Sequence, residues 1–472
     1  MTGDFRNWVA RLFQSRTAAR AANRRPGPRF RIETLEDRVV PATTITIQEA
    51  AGNLDSSLSA TDGTVGAFEL AGVPGTISRA ALESVGPGVP ISITAENSIF
   101  FDAPLSTISL QTDATTGAQF VASNGSVTFG NPANSLTTAG GDLTLVAISG
   151  VPALLLGNLA TAGGDVNLVG DVVALDGTVD AGTGTVAVRP VTAGVDVTLG
   201  SEVGGTMSLT PAELGGITAG VLRVGDATTG DISVTAAITL GAGVPTLSLS
   251  SDDTITNTPN GSLSVANLRA SSADGVTLDS AANDVDTLAG SATAVGASFS
   301  FTDADDLTIG VVDGTTGVST ADGPLTLVTG GALTIHAVLS ASGGDLITLN
   351  SAGPVTQAAG VPARVTSQLL LLLGAGPFTL DNPANQAFVL AANTTGAITY
   401  VDSLPLLVSS VAGTNGVVSN NNPISISTVN ADLRVSDSRA GADVDAGTST
   451  VALTAGGMAG QDRLLNIMAN AG

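Results

Sequence analysis

The side chains best suited to chemistry in this sequence are a single histidine and one group of aspartates. His336 is the only histidine, and it follows a run in which Leu333 and Ile335 flank Thr334. A strand with that alternation buries Leu333 and Ile335 and turns His336 toward solvent. Because no nucleophile and carboxylate accompany it in the surrounding sequence, His336 does not indicate a catalytic triad.

The aspartates are Asp303, Asp305 and Asp306, and oxygen-rich turns of this kind are able to hold Ca²⁺. A related stretch further along the chain keeps only Asp402, at the position of Asp303. A dedicated metal site would be expected to recur with the repeat, so we interpret these carboxylates as turn-forming and solubilising groups. The sequence predicts no catalytic residue, no cofactor site and no metal site.

The charge balance limits the partners of the chain. Residues 1–43 contain nine Arg and four acidic residues, the remainder contains eight Arg and 37 acidic residues, and lysine is absent. An acidic body repels phosphate backbones, so we expect no nucleic-acid partner. The absence of cysteine excludes disulfides and Cys-ligated zinc.

The elements that must position these side chains are short strands. From Thr44 onward, runs of three to five residues place apolar side chains at alternate positions, with mostly Thr, Ser, Asn or Asp between them. Such a run buries one face of a strand and leaves the other in solvent. Twelve runs predict strands: residues 44–47, 91–94, 142–146, 165–169, 185–188, 196–199, 231–234, 246–250, 262–265, 298–301, 325–328 and 333–335.

Internal repeats decide between the two architectures, a β-sandwich and a β-solenoid, that fit this strand spacing. Residues 283–335 recur as residues 385–435, with small gaps at the turns. On a finer scale, TAGGDLTLV begins at Thr138 and TAGGDVNLV begins 23 residues later at Thr161. A period of about 20 to 25 residues is one turn of a parallel β-helix. The sequence therefore predicts an all-β solenoid.

A further motif predicts the corners of that solenoid. SVTFGNPAN, GVTLDSAAN and PFTLDNPAN end at Asn134, Asn283 and Asn385. Asn tolerates the left-handed conformation and hydrogen-bonds to nearby backbone. We interpret the three asparagines as corner residues and not as ligands.

The beginning of the chain differs from the rest. Residues 1–28 predict a short basic amphipathic helix, in which Arg6 and Arg11 interrupt every apolar stretch that a secretory signal would need. This leader is either a solvated segment or a contact with a membrane surface or export apparatus.

Residues 29–43 contain Leu35, Glu36, Asp37, Arg38 and Pro41, which stand before the repeat region. They resemble the LEDR/LEPR-type N-terminal motif of large repetitive surface proteins of some environmental bacteria. The resemblance implies an export or sorting label. The alternative is a polar linker.

Four stretches carry a second resemblance: residues 179–188, residues 208–238, residues 444–453 and the segment around FSFTDADDLTIG. They resemble repeats of filamentous-haemagglutinin-like bacterial adhesins. The resemblance implies a right-handed parallel β-helix displayed outside the cell, working in adhesion or as a stalk. The chain departs from that family by lacking its usual N-terminal secretion domain, which leaves the export route open.

These observations predict four segments: the leader at 1–28, the sorting motif at 29–43, a β-helix at 44–457 and a C-terminal tail or incomplete cap at 458–472. An uncapped last turn would favour end-to-end self-association. No apolar run reaches the ~18 to 20 residues that span a bilayer.

The function predicted from the sequence is that of a secreted or surface-displayed structural or adhesive repeat protein without enzymatic activity. Its partners would be cell-surface or extracellular matrix components, either protein or glycan. The alternatives are a carbohydrate-active β-helix lyase or hydrolase, which would need a carboxylate pair beside an Arg on one outward face, and a passive stalk or coat subunit.

Overall fold

A computed structural model describes residues 44–58, 63–65, 74–148, 153–343, 345–435, 444–456 and 465–467. All of them belong to one compact unit, residues 40–472. Strands account for 52% of the residues and helices for 3%, and the parallel strands stack as a β-solenoid of about 15 turns. The predicted all-β class and parallel β-helix are therefore confirmed. The predicted leader and sorting motif lie outside the described residues.

Each turn contributes strands to three faces, which we call the first, second and third faces. The first face contains Gly63–Val65, Ile91–Ala95, Ala118–Ala122, Leu143–Ala147, Val166–Val169, Thr185–Arg189, Val221–Val224, Thr246–Ser251, Val318–Thr320, Leu339–Ala341, Leu406–Val408, Leu433–Val435 and Leu465–Ile467. The last of these, within the predicted tail, pairs in parallel with Leu433–Val435.

The second face begins as a six-stranded sheet and continues after a break in its hydrogen bonding. It contains Thr44–Gln48, Gly75–Ser78, Ser98–Phe101, Val127–Phe129, Ala153–Leu156, Val172–Leu175, Val197–Leu199, Met207–Leu209, Ile232–Val234, Thr254–Asn257, Gly275–Leu278, Phe299–Asp303, Leu325–Thr329, Leu346–Ser351, Val417–Val418 and Val444–Asp445.

The third face contains Thr107–Ser109, Ser135–Thr137, Asn158–Ala160, Val179–Asp180, Ile217–Thr218, Ala237–Thr239, Leu307–Ile309, Leu333–Ile335, Val355–Gln357, Phe378–Leu380, Ile398–Asp402, Ile424–Thr428 and Val451–Ala455. Four longer strands turn a corner. Ser262–Ser272 and Asp284–Ala292 pass from the third face to the first, whereas Val365–Gly374 and Gln386–Thr394 pass from the first to the second.

The structure confirms all twelve strands that the alternation predicts. The predicted period is confirmed as well, because Asp165 N donates to Asp142 Oδ1 across 23 residues and Thr185 N donates to Asp165 Oδ1 across 20. In-register stacking places Leu333 between Leu307 and Val355. Apolar side chains therefore pack on apolar side chains of the next turn.

Helices are few and short. Arg79–Ser84 is capped by Ser78, and Pro211–Gly215 has a capping box formed by Thr210 and Glu213, while Val361–Ala363 is a single 3-10 turn. The two α-helices bury one leucine each. Both leucines belong to the main core, which is one hydrophobic cluster reaching from Ile45 to Ala446.

Two antiparallel hairpins interrupt the parallel stack in the described part of the chain. The first pairs Val311–Val312 with Thr315–Thr316 and leaves the corner between the third and first faces. The second pairs Ser410–Val411 with Thr414–Asn415 and leaves the corner between the first and second faces. The first hairpin lies over the first face and the second lies over the second face.

Both hairpins have the same turn. Asp313 and Gly314 have φ of 44° and 78°, and Ala412 and Gly413 have φ of 46° and 88°. Two consecutive left-handed residues form a type I′ turn, whose twist matches that of a hairpin. The second copy of the long repeat therefore reproduces the turn even where the residue type changes.

Candidate functional site

The structure places His336 on the outer face, as the alternation of its strand predicts. The side chain is exposed, and its backbone N–H donates to the carbonyl of Ile309 in the preceding turn. Within the described residues, no group of three or more His, Cys, Asp or Glu side chains is arranged to hold a metal ion. His336 therefore belongs to no such group in the part of the chain that the structure describes.

The three clustered aspartates separate into two environments. Asp305 and Asp306 are exposed, but only 2% of Asp303 is accessible to solvent. The buried carboxylate accepts hydrogen bonds from the backbone N–H groups of Val285 at 3.0 Å and Asp305 at 3.2 Å. Burial raises the pKa of Asp303 to about 7 against the lowering effect of those hydrogen bonds. The interpretation of Asp303 as a solubilising residue is wrong, because its strand turns it into the core.

Asp402 occupies the same position in the second copy. It accepts hydrogen bonds from the N–H groups of Ala387 at 2.7 Å and Leu404 at 2.6 Å and from the hydroxyl of Tyr400 at 2.6 Å. Burial raises the pKa of Asp402 to about 6, opposed by these donors. It also raises the pKa of Tyr400, together with the neighbouring Asp402 charge. Both carboxylates tie one turn to the next.

The predicted corner asparagines Asn134, Asn283 and Asn385 are buried at corners of the stack. Asn283 donates to the carbonyls of Leu278 and Thr302 and accepts from the N–H of Leu263. Side-chain amides thus replace the backbone hydrogen bonds that the chain loses where it changes face. The interpretation of the three asparagines as corner residues that hydrogen-bond to nearby backbone is confirmed, although none of them has the left-handed conformation.

Sequence reasoning did not assign a role to the threonines that open the TAGGD motifs. Thr138 and Thr161 are buried, and their hydroxyls donate to the carbonyls of Gly141 and Gly164 within the same turn. The Asp that closes each motif accepts a backbone N–H from the following turn. The recurrence of the motif was the available signal. It marks a corner whose side chains hydrogen-bond within their own turn and to the next turn.

The structure brings together arginines that are distant in the sequence. Asp313 accepts hydrogen bonds from Arg223 Nε at 2.9 Å and Arg223 Nη2 at 2.6 Å, and Arg269 Nε donates to Thr315 Oγ1 at 2.7 Å. The hydrogen bonds from Arg223 lower the pKa of Asp313, against the effect of burial. A carboxylate beside arginines on an outward face therefore exists. It holds the first hairpin against the first face.

A groove of about 860 Å³ lies beside the helix Pro211–Gly215. Its central carboxylate, Glu213, accepts hydrogen bonds from Thr210 N, Thr210 Oγ1 and Leu175 N at 2.8 to 2.9 Å. These donors occupy Glu213 in the capping box and in the neighbouring strand. The residues that line the groove include no arginine and no aromatic ring.

Among the described residues, no helix is both long and apolar enough to cross a membrane. Comparison of the chain with protein-family models, with curated proteins and with solved structures finds no match.

Proposed function

We propose that this protein is a secreted or surface-displayed structural or adhesive repeat protein that works without catalysis. The observation that carries the proposal is the continuous core from Ile45 to Ala446. Turns that share one core form a single extended support, whose outer surface grows with every turn added. Such a support suits display and contact with a large partner.

The outer surface of the third face supports this proposal. Thr308, Thr334, Thr356, Thr379 and Thr399 stack in register on five consecutive turns. Successive strands in a sheet lie ~4.8 Å apart, so these side chains form a regular uncharged row. A row of this kind suits contact with another extended surface better than the binding of a small substrate.

The hydrogen bonds of the four candidate catalytic carboxylates also support a structural role. Asp303 and Asp402 accept hydrogen bonds inside the core, Glu213 completes a helix cap, and Asp313 is paired with Arg223. A catalytic acid or base needs a proton acceptor or donor that a substrate reaches. These four groups are engaged with the protein itself.

We extend the proposal to location and partners. The resemblance of residues 29–43 to an export or sorting motif and of the repeats to adhesins supports a location outside the cell. Cell-surface or extracellular matrix components, protein or glycan, would then be the partners. The acidic body suits basic or neutral surfaces.

The test uses the full chain. Fluorescently labelled protein is expected to bind to intact cells or to immobilised matrix components in a saturable way. It is expected to release no reducing sugar from a panel of neutral and acidic polysaccharides. Sustained release of reducing sugar would favour the carbohydrate-active alternative. Absence of binding to every surface would leave only the passive stalk or coat subunit.

A further inference from the structure

A second groove, of about 330 Å³, lies at the corner between the first and second faces. Four successive turns form it: they contribute Ser342, the segment containing Thr366 and Gln368, the strand containing Phe388, and Leu404. A volume of this size is at the lower end of the range of small-molecule sites. The groove therefore has room for one small ring.

Phe388 provides an apolar surface in this groove. Half of the side chain is exposed, although Ala387 beside it is fully buried. It is the only aromatic residue among the exposed large apolar side chains of the described part of the chain. An exposed aromatic ring leaves apolar surface in water, which a ligand with a flat C–H face would cover.

The groove also contains polar groups without partners. Among the described residues, neither Gln368 nor Gln386 forms a side-chain hydrogen bond, and the buried hydroxyls of Thr366 and Ser367 have no partner. Most buried polar groups in proteins are paired. The two hydroxyl oxygens are themselves buried, so only the two free amides at the rim give the groove unused capacity for hydrogen bonds.

The charges around the groove disfavour an anionic ligand. None of the lining residues is an arginine. The Asp322 carboxylate lies so close to Gly343, another lining residue, that a Cβ placed there would be 2.2 Å from Oδ1. A negatively charged ligand would meet this carboxylate without a compensating cation.

The first copy of the long repeat has carboxylates at the equivalent positions, at a corner between its third and first faces. Asp284, Asp286 and Asp305 stand at the positions of Gln386, Phe388 and Leu404, and all three are exposed. The same backbone position thus accepts either a hydrated carboxylate or an aromatic ring. Phe388 is not required by the fold at this position.

We propose that the corner groove around Phe388 is a binding subsite for a neutral pyranose ring, as in an uncharged glycan chain. The C–H face of the sugar packs on Phe388, and its hydroxyls exchange hydrogen bonds with Gln368 and Gln386. This inference rests on the adhesive function proposed above and specifies the class of ligand.

The test titrates the full chain with methyl glucoside, methyl galactoside and methyl mannoside and with their short neutral oligomers, followed by calorimetry and ligand-observed NMR. The variant Phe388→Asp copies the residue that the first repeat has at this position, so we expect it to fold. Val295→Asp is the matched control, because Val295 is 83% exposed and does not line the groove. Circular dichroism checks the fold of both variants.

We expect at least one neutral glycoside to bind, and its affinity to fall by roughly tenfold or more in Phe388→Asp while Val295→Asp is unchanged. We expect methyl glucuronide to bind more weakly than its neutral counterpart. Glycoside binding that Phe388→Asp leaves intact would overturn the subsite and leave the adhesive function standing. Failure of all neutral glycosides and oligomers to bind would overturn the subsite as well, and the cell-binding assay then judges the adhesive function separately.

Discussion

The two copies of the long repeat share a backbone plan but hold their hairpins onto the solenoid by different forces. In the first copy, Asp313 at the turn is paired with Arg223, and Arg269 lies beside them. In the second copy, Ala412 replaces Asp313, and Leu371 occupies the place of Arg269 beneath the hairpin. Turn geometry therefore sets where the hairpin lies. The residue at the turn and the residue beneath it change together, from polar in the first copy to apolar in the second.

The buried carboxylates of the two copies differ in the number of hydrogen bonds that they accept. Asp303 accepts two backbone N–H groups, whereas Asp402 accepts two backbone N–H groups and the hydroxyl of Tyr400, which stands where the first copy has Phe301. The extra donor stabilises the charged form of Asp402, which is consistent with its lower pKa of about 6 against about 7 for Asp303.

Replacing Asp402 with Ala should have the largest effect, because it leaves three buried donors unpaired. An unpaired buried polar group costs ~1–3 kcal/mol. We expect the free energy of local opening to fall by ~3–5 kcal/mol in Asp402→Ala and by ~2–3 kcal/mol in Asp303→Ala. Hydrogen exchange of the adjacent strand amides measures both. The exposed Asp305→Ala is the control, and equal losses at Asp303 and Asp402 would contradict the role of Tyr400.

Changing the pH should have the next largest effect, and the two copies should lose stability over different pH ranges. An unfolded aspartate has the ordinary pKa of 3.8, so the folded chain binds more protons than the unfolded chain between about pH 4 and pH 7. Stability from a protonated Asp303 is complete below the ordinary pKa and is lost as the pH rises through about 7. For Asp402 the loss ends near pH 6. The expected change is on the order of 2–4 kcal/mol per site.

Hydrogen exchange at a series of pH values, corrected for intrinsic exchange, measures this loss in each copy. Asp303→Asn should remove the pH dependence of the first copy and leave that of the second copy. If the stability near residue 303 still depends on pH to the same extent in this variant, general charge repulsion causes the pH dependence.

Removing the contacts beneath each hairpin should have a moderate effect that differs between the copies. Leu371 packs with Val411 and Ala391 in a small apolar cluster, so Leu371→Ala should weaken the second hairpin by ~2–3 kcal/mol. Arg269→Ala should weaken the first hairpin by only ~1 kcal/mol. Hydrogen exchange of the hairpin amides measures the stability of each hairpin. If Arg269→Ala weakened its hairpin more than Leu371→Ala did, the polar contacts of the first copy would be stronger than the apolar contacts of the second.

Exchanging the turn residues should have the smallest effect. The side chain of Arg223 is 49% exposed, so Asp313→Ala should cost ~1 kcal/mol or less. Ala412→Asp should gain nothing, since Leu371 stands where the first copy has Arg269, and Asp tolerates the left-handed conformation. Raising the salt concentration should loosen the first hairpin and leave the second unchanged. Equal salt dependence of the two hairpins would show that Asp313 is not what holds the first.

Sequence patterns predicted the local structure because the physics that sets it is local. Alternation of apolar residues located twelve strands, and the spacing of Thr138 and Thr161 gave the length of a turn. The burial of Asp303 was missed because it stands in an acidic run. The available signal was that the second copy keeps this one carboxylate and loses the other two.

Contacts between distant residues could not be predicted in the same way. Arg223 and Asp313 are 90 residues apart, and their pairing depends on how many turns separate them and on which corner the hairpin leaves. Small differences in turn length accumulate over several turns. The groove around Phe388 has the same origin, since four turns contribute to it.

The corner-turning strands have a consequence for how such a chain lengthens. Asp284–Ala292 passes from the third face to the first, but its counterpart Gln386–Thr394 passes from the first to the second. Phe301 and Tyr400 are therefore equivalent in sequence yet lie on different faces, and both are fully buried. A gene duplication in this solenoid need not span a whole number of turns, because each face accepts the same inward pattern. Successive duplications of this length would distribute their surface loops around the axis.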